Sequence, residues 1–493
     1  MKKILIILGA LSLSSILDAY DERINNFYRF ISTKNVSGRT FMFTRPAYYH
    51  LNMRRHLWHE FMHTPRGCNG ISAQAIGYYQ NSLSFEGNTQ YFFPCDNTCL
   101  LVSGDNNIDE LCSRNVRAEW LGLSSDYQGV MSIKPKQKQA GASGEIFIHL
   151  NRYIDWQLLR NSWVSIELPF MWVENDINLW QKTLRAGPQS EDLPQDICQA
   201  FTRPELHFAR MGGKMHENKL AEVRVNFGTN YLSCNHFEID YYSFLIFPTG
   251  NQQDPRYTFS PVVGNNKHWG FGGGTDFQLL LNRDTSSFYA TFFLDFEVLV
   301  LFHNEQCRTY DLKCKPWSRY LLLVDKCRPG ITVPASDVFT LKTAITPYGY
   351  VDLSLGWRLE RECFEFEFGY NVWGHSNEKI TLHQGFDRCW GIAGVGTIED
   401  ECDGTVPATA SCSTIDCQTD NDECFVAIRE TDLELQSAAA HSSLNHTIHF
   451  ALGGTRRAES YGIFAGVGIL AEWPEKNSAL KVWGTWAKIG TTF

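Results

Sequence analysis

Residues 460–473, SYGIFAGVGILAEW, alternate strictly: Tyr461, Ile463, Ala465, Val467, Ile469, Ala471 and Trp473 fall on one side, mostly glycine on the other. The short PEKNS (474–478) follows, and ALKVWGTWAKIGTTF (479–493) returns. In the returning stretch Trp483, Thr485, Ala487, Ile489, Thr491 and Phe493 share one face, while Trp486, Lys488 and Gly490 share the other. Period-two alternation of this length across a tight turn predicts a long β-hairpin.

The same pattern recurs upstream. In 288–302 the even positions Phe288, Phe292, Leu294, Phe296 and Val300 are apolar, and the odd face carries Tyr289, Thr291, Asp295 and Glu297. In 349–360 Val351, Leu353, Leu355 and Trp357 oppose Asp352, Ser354 and Arg358; in 363–374 Phe364, Phe366, Phe368, Tyr370 and Val372 oppose Glu365, Glu367 and Asn371. Fainter alternation marks 39–46, 71–80, 144–151, 162–170, 220–229, 238–247, 268–281, 317–324, 424–436 and 443–453. Together these predict an all-β chain of roughly 14–16 antiparallel strands.

Alternation alone fits a soluble sandwich as well as a membrane barrel. The strands are longer than the usual five or six residues, which suits a tilted bilayer crossing. Charges sit mid-strand opposite the aromatic rows, which suits a wet lumen rather than a dry core. Asp295, Glu297, Asp352, Arg358, Glu365, Glu367, His449 and Lys488 are the candidate pore-lining residues. Acids predominate among them, so a channel of this kind would mildly prefer cations.

The first residues, MKKILIILGALSLSSILDAYDE, carry Lys2 and Lys3, then an apolar run from Ile4 to Leu13, then Ala19 at a cleavage-like position. They read as a secretory signal peptide over 1–19, leaving 20–493 as one barrel. No cysteine near the cut argues for a lipid anchor, and no later apolar run is long enough for a spanning helix. A net charge of −10 without a basic block argues against a nucleic-acid partner.

A leader followed by a final amphipathic strand ending in Phe493 resembles the outer-membrane β-barrels of diderm bacteria. In that family the terminal aromatic strand is the signal read by the assembly machinery. The resemblance implies residence in the outer membrane, with membrane lipid and the barrel-assembly machinery as partners. It also implies a porin-like channel for passive diffusion of small solutes, possible homo-oligomers, no enzymatic activity and no cofactor. A second resemblance lies in 220–253, where Pro248, Thr249, Gly250 and Asn251 match the strand end of FadL-like barrels of the phenol meta-pathway type. Glu222 stands there where Asp is more usual. It implies the alternative of a transporter of hydrophobic or aromatic compounds.

Fifteen cysteines in an exported chain point to disulfides, and the odd count leaves at least one thiol over. Three insertions read as Cys-rich outer loops, holding Cys95, Cys99 and Cys112, then Cys307, Cys314 and Cys327, then Cys402, Cys412, Cys417 and Cys424. Cross-linking through such loops gives a third reading, a structural or adhesive envelope protein. SEDLPQDICQAF (190–201) reads as a short helix with Pro194 near its first turn.

Four motifs tempt toward other chemistry. His59-Glu60-x-x-His63 spells a zinc hydrolase, but Pro65 stops the helix early and no third ligand follows at a known distance. His441 and Ser443 share a strand face as a hydrolytic pair would, yet that face also carries Asn445, Thr447 and His449 and reads as polar wall. Asp416, Asp420, Asp422 and Glu423 form an acidic loop without EF-hand spacing. GFGGGTDF (270–277) lacks the Lys-Ser/Thr of a phosphate loop and reads as a strand with glycines where the wall bends. No metal site is expected.

Overall fold

The computed structural model describes residues 38–492 apart from 53–55, 58–69, 109–112, 282–287, 393–426 and several gaps of one to three residues. The leader, the HEFMH stretch, Cys112, Cys327, the acidic Cys-rich loop with Cys402, Cys412, Cys417 and Cys424, and Phe493 lie outside the described residues.

Twelve strands form the wall: β1 (Ile71–Ser82), β2 (Lys136–His149), β3 (Ser162–Asp176), β4 (Val223–Ser233), β5 (Phe237–Phe247), β6 (Gly270–Leu281), β7 (Phe288–Leu301), β8 (Tyr350–Arg361), β9 (Phe364–His375), β10 (Ser443–Arg457), β11 (Gly462–Pro474) and β12 (Val482–Thr492). Each pairs antiparallel with its sequence neighbour. β12 pairs with β1, Ser72 opposite Thr492, and the sheet closes. Closure leaves no free edge to be satisfied in lipid.

The architecture is the predicted transmembrane antiparallel β-barrel, with fewer strands than the alternation suggested. Three alternating stretches are not wall. Residues 39–46 lie inside the barrel, and 317–324 and the described part of 424–436 form short pieces in the loops. Alternation reports only that two sides of a strand differ, and a closed barrel offers a further strand no edge to join.

The faces follow the period. On β10 His449 is 2% exposed while its neighbour Phe450 is 45% exposed. Ile166, Leu168 and Phe170 of β3, Phe296 and Val300 of β7, Phe364 and Phe368 of β9, and Val467 and Ile469 of β11 all point outward and are exposed. A contiguous apolar belt of this extent marks a surface made for lipid.

At one end the connections are short: Glu362 and Cys363 alone join β8 to β9. At the other end the connections 83–135, 177–213, 248–269, 302–349 and 376–442 are long, and their described residues build a cap. Its described residues pack two apolar cores. One centres on Phe92, Phe93, Leu100, Phe201 and Trp317; the other on Tyr310, Leu321, Phe339 and Trp390. The helix near 190–201 is Ile197–Thr202, and its N-cap is Asp196, whose Oδ1 accepts from Gln199 N at 2.8 Å; Pro194 precedes it. An aspartate satisfies an orphan N–H directly, which outweighs proline's preset φ.

No two of the described cysteines are joined, and Cys99, Cys307 and Cys314 carry free thiols. The glycines of 270–277 lie in a wall strand and serve close packing. Gly272 and Gly274 face inward, and a Cβ there would collide with the rings of Phe244 and Tyr242 from β5.

Candidate functional site

The chemistry of a barrel lies in its lumen. The inner face carries Glu145, Glu167, Glu238, Asp240, Asp276, Asp295, Glu297, Asp352, Glu365, Glu367 and Glu472, against Arg224, Arg358 and Lys488, all buried. Alternation puts them there, since each lies one residue from a lipid-facing apolar side chain. The register aligns them further: Asp240 is opposite Asp276, Asp276 opposite Asp295, and Asp295 opposite Ser354. The row continues through Asn371 and Thr447 to Glu472.

All eight residues singled out from the sequence lie inside the barrel and are buried, none more than 8% exposed. Glu297 pairs with Arg224 at 2.6 Å and accepts from Tyr242 Oη at 2.9 Å; Arg224 also stacks on Phe244, 3.6 Å from its centroid. Glu367 pairs with Arg358 at 3.3 Å.

What the sequence did not reveal is the occupant. Residues 38–52, with His56 and Leu57, run from the cap down the barrel axis as a plug. At the cap, Arg39 N donates to Tyr91 O and Thr40 N to Ser437 O. Phe43 then stacks on Tyr350 and Trp373 at the loop end of β8 and β9. Arg45 is the charged wall anchor: its guanidinium reaches Asp352 at 2.9 Å, Glu472 at 2.7 Å and Asn371 at 3.2 Å. A single helical turn, Ala47–His50, follows, and Ala47 N donates to Gln139 Oε1 at 2.6 Å.

Gln80 Nε2 donates to His50 Nδ1 at 2.7 Å, so the proton of a neutral ring sits on Nε2, 3.0 Å from Glu472. Tyr49 donates to Glu222 at 2.9 Å, and Asn265 to the same carboxylate at 2.6 Å. Further down, Leu57 N donates to Glu367 Oε2 at 3.0 Å, and Lys488 Nζ donates to the carbonyls of His56 and Leu57.

A void bounded by Tyr48, Tyr49, Glu167, Glu222, Arg224 and Glu297 measures about 10 Å³, room for one water. The signal for this plug was faint: Arg45 is a cation in an otherwise apolar and aromatic stretch, and only the acid-rich inner faces gave it partners.

The Pro248-Thr249-Gly250 segment sits where β5 leaves the wall. Gly250 packs against the Val263 and Ala221 carbonyls, beside Glu222, where any Cβ would collide. Ser443 donates to Asn445 Oδ1 at 2.6 Å, as part of the polar wall. Among the described residues one group of metal-competent side chains converges, His56, Glu367 and His449.

No protein-family model matches the sequence, and no curated protein does. Among solved structures, the chain is similar to an outer membrane channel from Pseudomonas putida F1, at 9% identity and a TM-score of 0.37, covering 86% of this chain and 96% of that one. It is similar to the toluene transporter TodX of Pseudomonas putida, at 8% identity and a TM-score of 0.31, covering 93% and 95%. It is also similar to the β-domain of the Bordetella autotransporter BrkA, at 8% identity and a TM-score of 0.28, covering 86% and 99%. Likenesses this distant assign neither solute nor mechanism to this chain. Its own closed wall, lipid-facing belt and polar interior define a transmembrane β-barrel of the outer-membrane kind.

Proposed function

We propose that the protein is a plugged outer-membrane channel for small solutes, residing in the bacterial outer membrane and acting in transport rather than catalysis. The observation that carries this reading is the ion-paired plug: residues 38–52, with His56 and Leu57, occupy a lumen lined by carboxylates and are held through Arg45. Buried ion pairs contribute little net stability but are costly to break singly, so they suit a device that holds one position or releases as a unit. Once the plug moves, the aspartate row and its neighbours line the path, and cations pass in preference to anions.

The test is conductance in planar bilayers. Wild type is expected to give rare or no open steps in potassium chloride, and a variant lacking 38–57 frequent, cation-selective ones. A silent deletion variant, folded by heat-modifiability, would overturn the channel reading.

A second reading has its own support. The lipid-facing wall holds a depression of about 620 Å³ around Gly77, Ala451, Gly468 and Ala487, at whose floor lie Tyr78 and Trp486 of the inner face. Small residues thin the wall there, which favours sideways passage of a hydrophobic compound, as in the FadL-like alternative. Uptake of an apolar fluorophore by liposomes, blocked by Gly77→Leu, whose side chain points outward into open space, without any change in conductance, would favour it.

A further inference from the structure

Glu367 binds the foot of the plug, and its two oxygens are served unequally. Oε2 accepts from Leu57 N at 3.0 Å and from Arg358 Nε and Nη2, each at 3.3 Å. Oε1 faces His56 Nδ1 at 3.1 Å and His449 Nε2 at 3.4 Å. The other nitrogen of His56, Nε2, lies 3.0 Å from the His50 carbonyl, which can only accept. Nε2 therefore carries a proton. In the neutral ring Nδ1 is then a bare lone pair aimed at a carboxylate oxygen, two acceptors with nothing between them.

A metal ion resolves that opposition. Donor atoms bound at about 2.0–2.1 Å to one ion stand about 2.9–3.4 Å apart at octahedral to tetrahedral angles. The two contacts at Oε1 have that spacing. The side chains of His56, Glu367 and His449 are 5%, 0% and 2% exposed, so the donors are desolvated in advance. Two imidazole nitrogens and one carboxylate oxygen suit zinc-class transition ions and discriminate against calcium and magnesium.

The surroundings orient the ligands: the His50 carbonyl fixes the His56 tautomer, and Arg358 holds Glu367. Gly369 lets the His449 ring lie across β9, since a Cβ there would collide with its Cε1. The charges of Arg358 and Lys488 oppose a dication and lower the affinity this donor set would otherwise have.

We propose that His56, Glu367 and His449 bind one divalent transition-metal ion of the zinc class. The ion fastens the plug to the barrel wall, joining one ligand from the plug to one each from β9 and β10. Binding itself is independent of the transport reading; only the fastening of a closed channel rests on it.

The test uses the full chain without a polyhistidine tag, folded in detergent and checked by heat-modifiability. After equilibration with zinc chloride and removal of excess, metal is counted by mass spectrometry and affinity measured by calorimetry. One zinc per chain is expected in the wild type. His56→Ala, which alters only the plug and leaves the strand ladder intact, should weaken binding at least tenfold, as should His449→Gln. Gly369→Ala, which displaces a ligand without removing one, should also weaken it. His207→Ala, at an exposed site 67% accessible, should bind as wild type does. Wild type that binds no more zinc than His56→Ala would overturn the site. So would a nitrogen NMR signature showing both His56 nitrogens protonated at neutral pH, because a proton would then occupy the place given to the ion. If zinc binds but chelation leaves conductance unchanged, the site stands and the fastening role fails.

Discussion

Arg45 shows how one side chain closes a wide lumen. It lies in a stretch that reads as an ordinary strand, yet its guanidinium joins β8 and β11 through Asp352 and Glu472 and packs 5.0 Å from the Trp373 ring centroid. Arginine suits this place because its planar fork serves several acceptors at once. Arg45→Ala leaves two buried carboxylates without that cation, and breaking a buried pair costs on the order of 3–5 kcal/mol. The wall ladder does not involve Arg45, so the barrel should still form while the plug detaches. The expected outcome is stepwise conductance in planar bilayers at wild-type yield; a folded, silent Arg45→Ala would count against the plug as the gate.

Strands and loops carry the next level. On β9 the outward Phe366 lies between the inward Glu365 and Glu367. Placing a cation on the lipid face near the midplane costs on the order of 2–4 kcal/mol, whereas a lumen change leaves lipid contacts alone. Phe366→Arg should therefore sharply reduce heat-modifiable protein in the membrane, while Glu365→Gln should assemble normally. Equal yields of both would mean that the belt does not face a bilayer.

The cap is a packed element with its own acid sensitivity. Burial first, helped by the charges of Arg308 and Arg39 respectively, pushes His268 down to about 4 and His441 to about 3. An opened cap would return both to about 6.5 and take up protons first as pH falls. The cap's stability is thus complete above about pH 6.5 and declines as pH falls toward 4. Once the intrinsic pH dependence of amide exchange is divided out, protection in 248–269 and 427–442 should be lower at pH 5 than at pH 7.5. His268→Gln should flatten part of that difference.

At the scale of the whole molecule, short connections gather at one end and long ones at the other, the asymmetry of barrels whose turns face the periplasm. Thiols report this orientation directly. Cys99, Cys307, Cys314 and Cys389 are exposed on the cap, and Cys234 and Cys363 are exposed at the short-turn end. A membrane-impermeant maleimide added to intact cells should label the first group and spare the second. The reverse pattern would invert the topology, and failure to label any cap thiol would revive the disulfide-linked loops expected from the cysteine count.

Within 493 residues, local alternation was enough to place Phe296 in lipid and Glu297 in the lumen, because side chains on a strand point to opposite faces in turn. It was enough to mark part of every strand that became wall, though 136–143 of β2 and 171–176 of β3 went unmarked, and to make the interior acidic. Whether 39–46 would join that wall was beyond it: an extended segment looks alike paired or unpaired, and only closure of β1 onto β12 removed the edge it would have used. The lower anchor was equally hidden. His56 and Glu367 meet across 311 positions, brought together by the path of the plug and the register of β9, and no short spacing encodes that. Periodicity is a property of neighbours along the chain; a plug and the carboxylates that hold it are neighbours only across the lumen of a closed barrel.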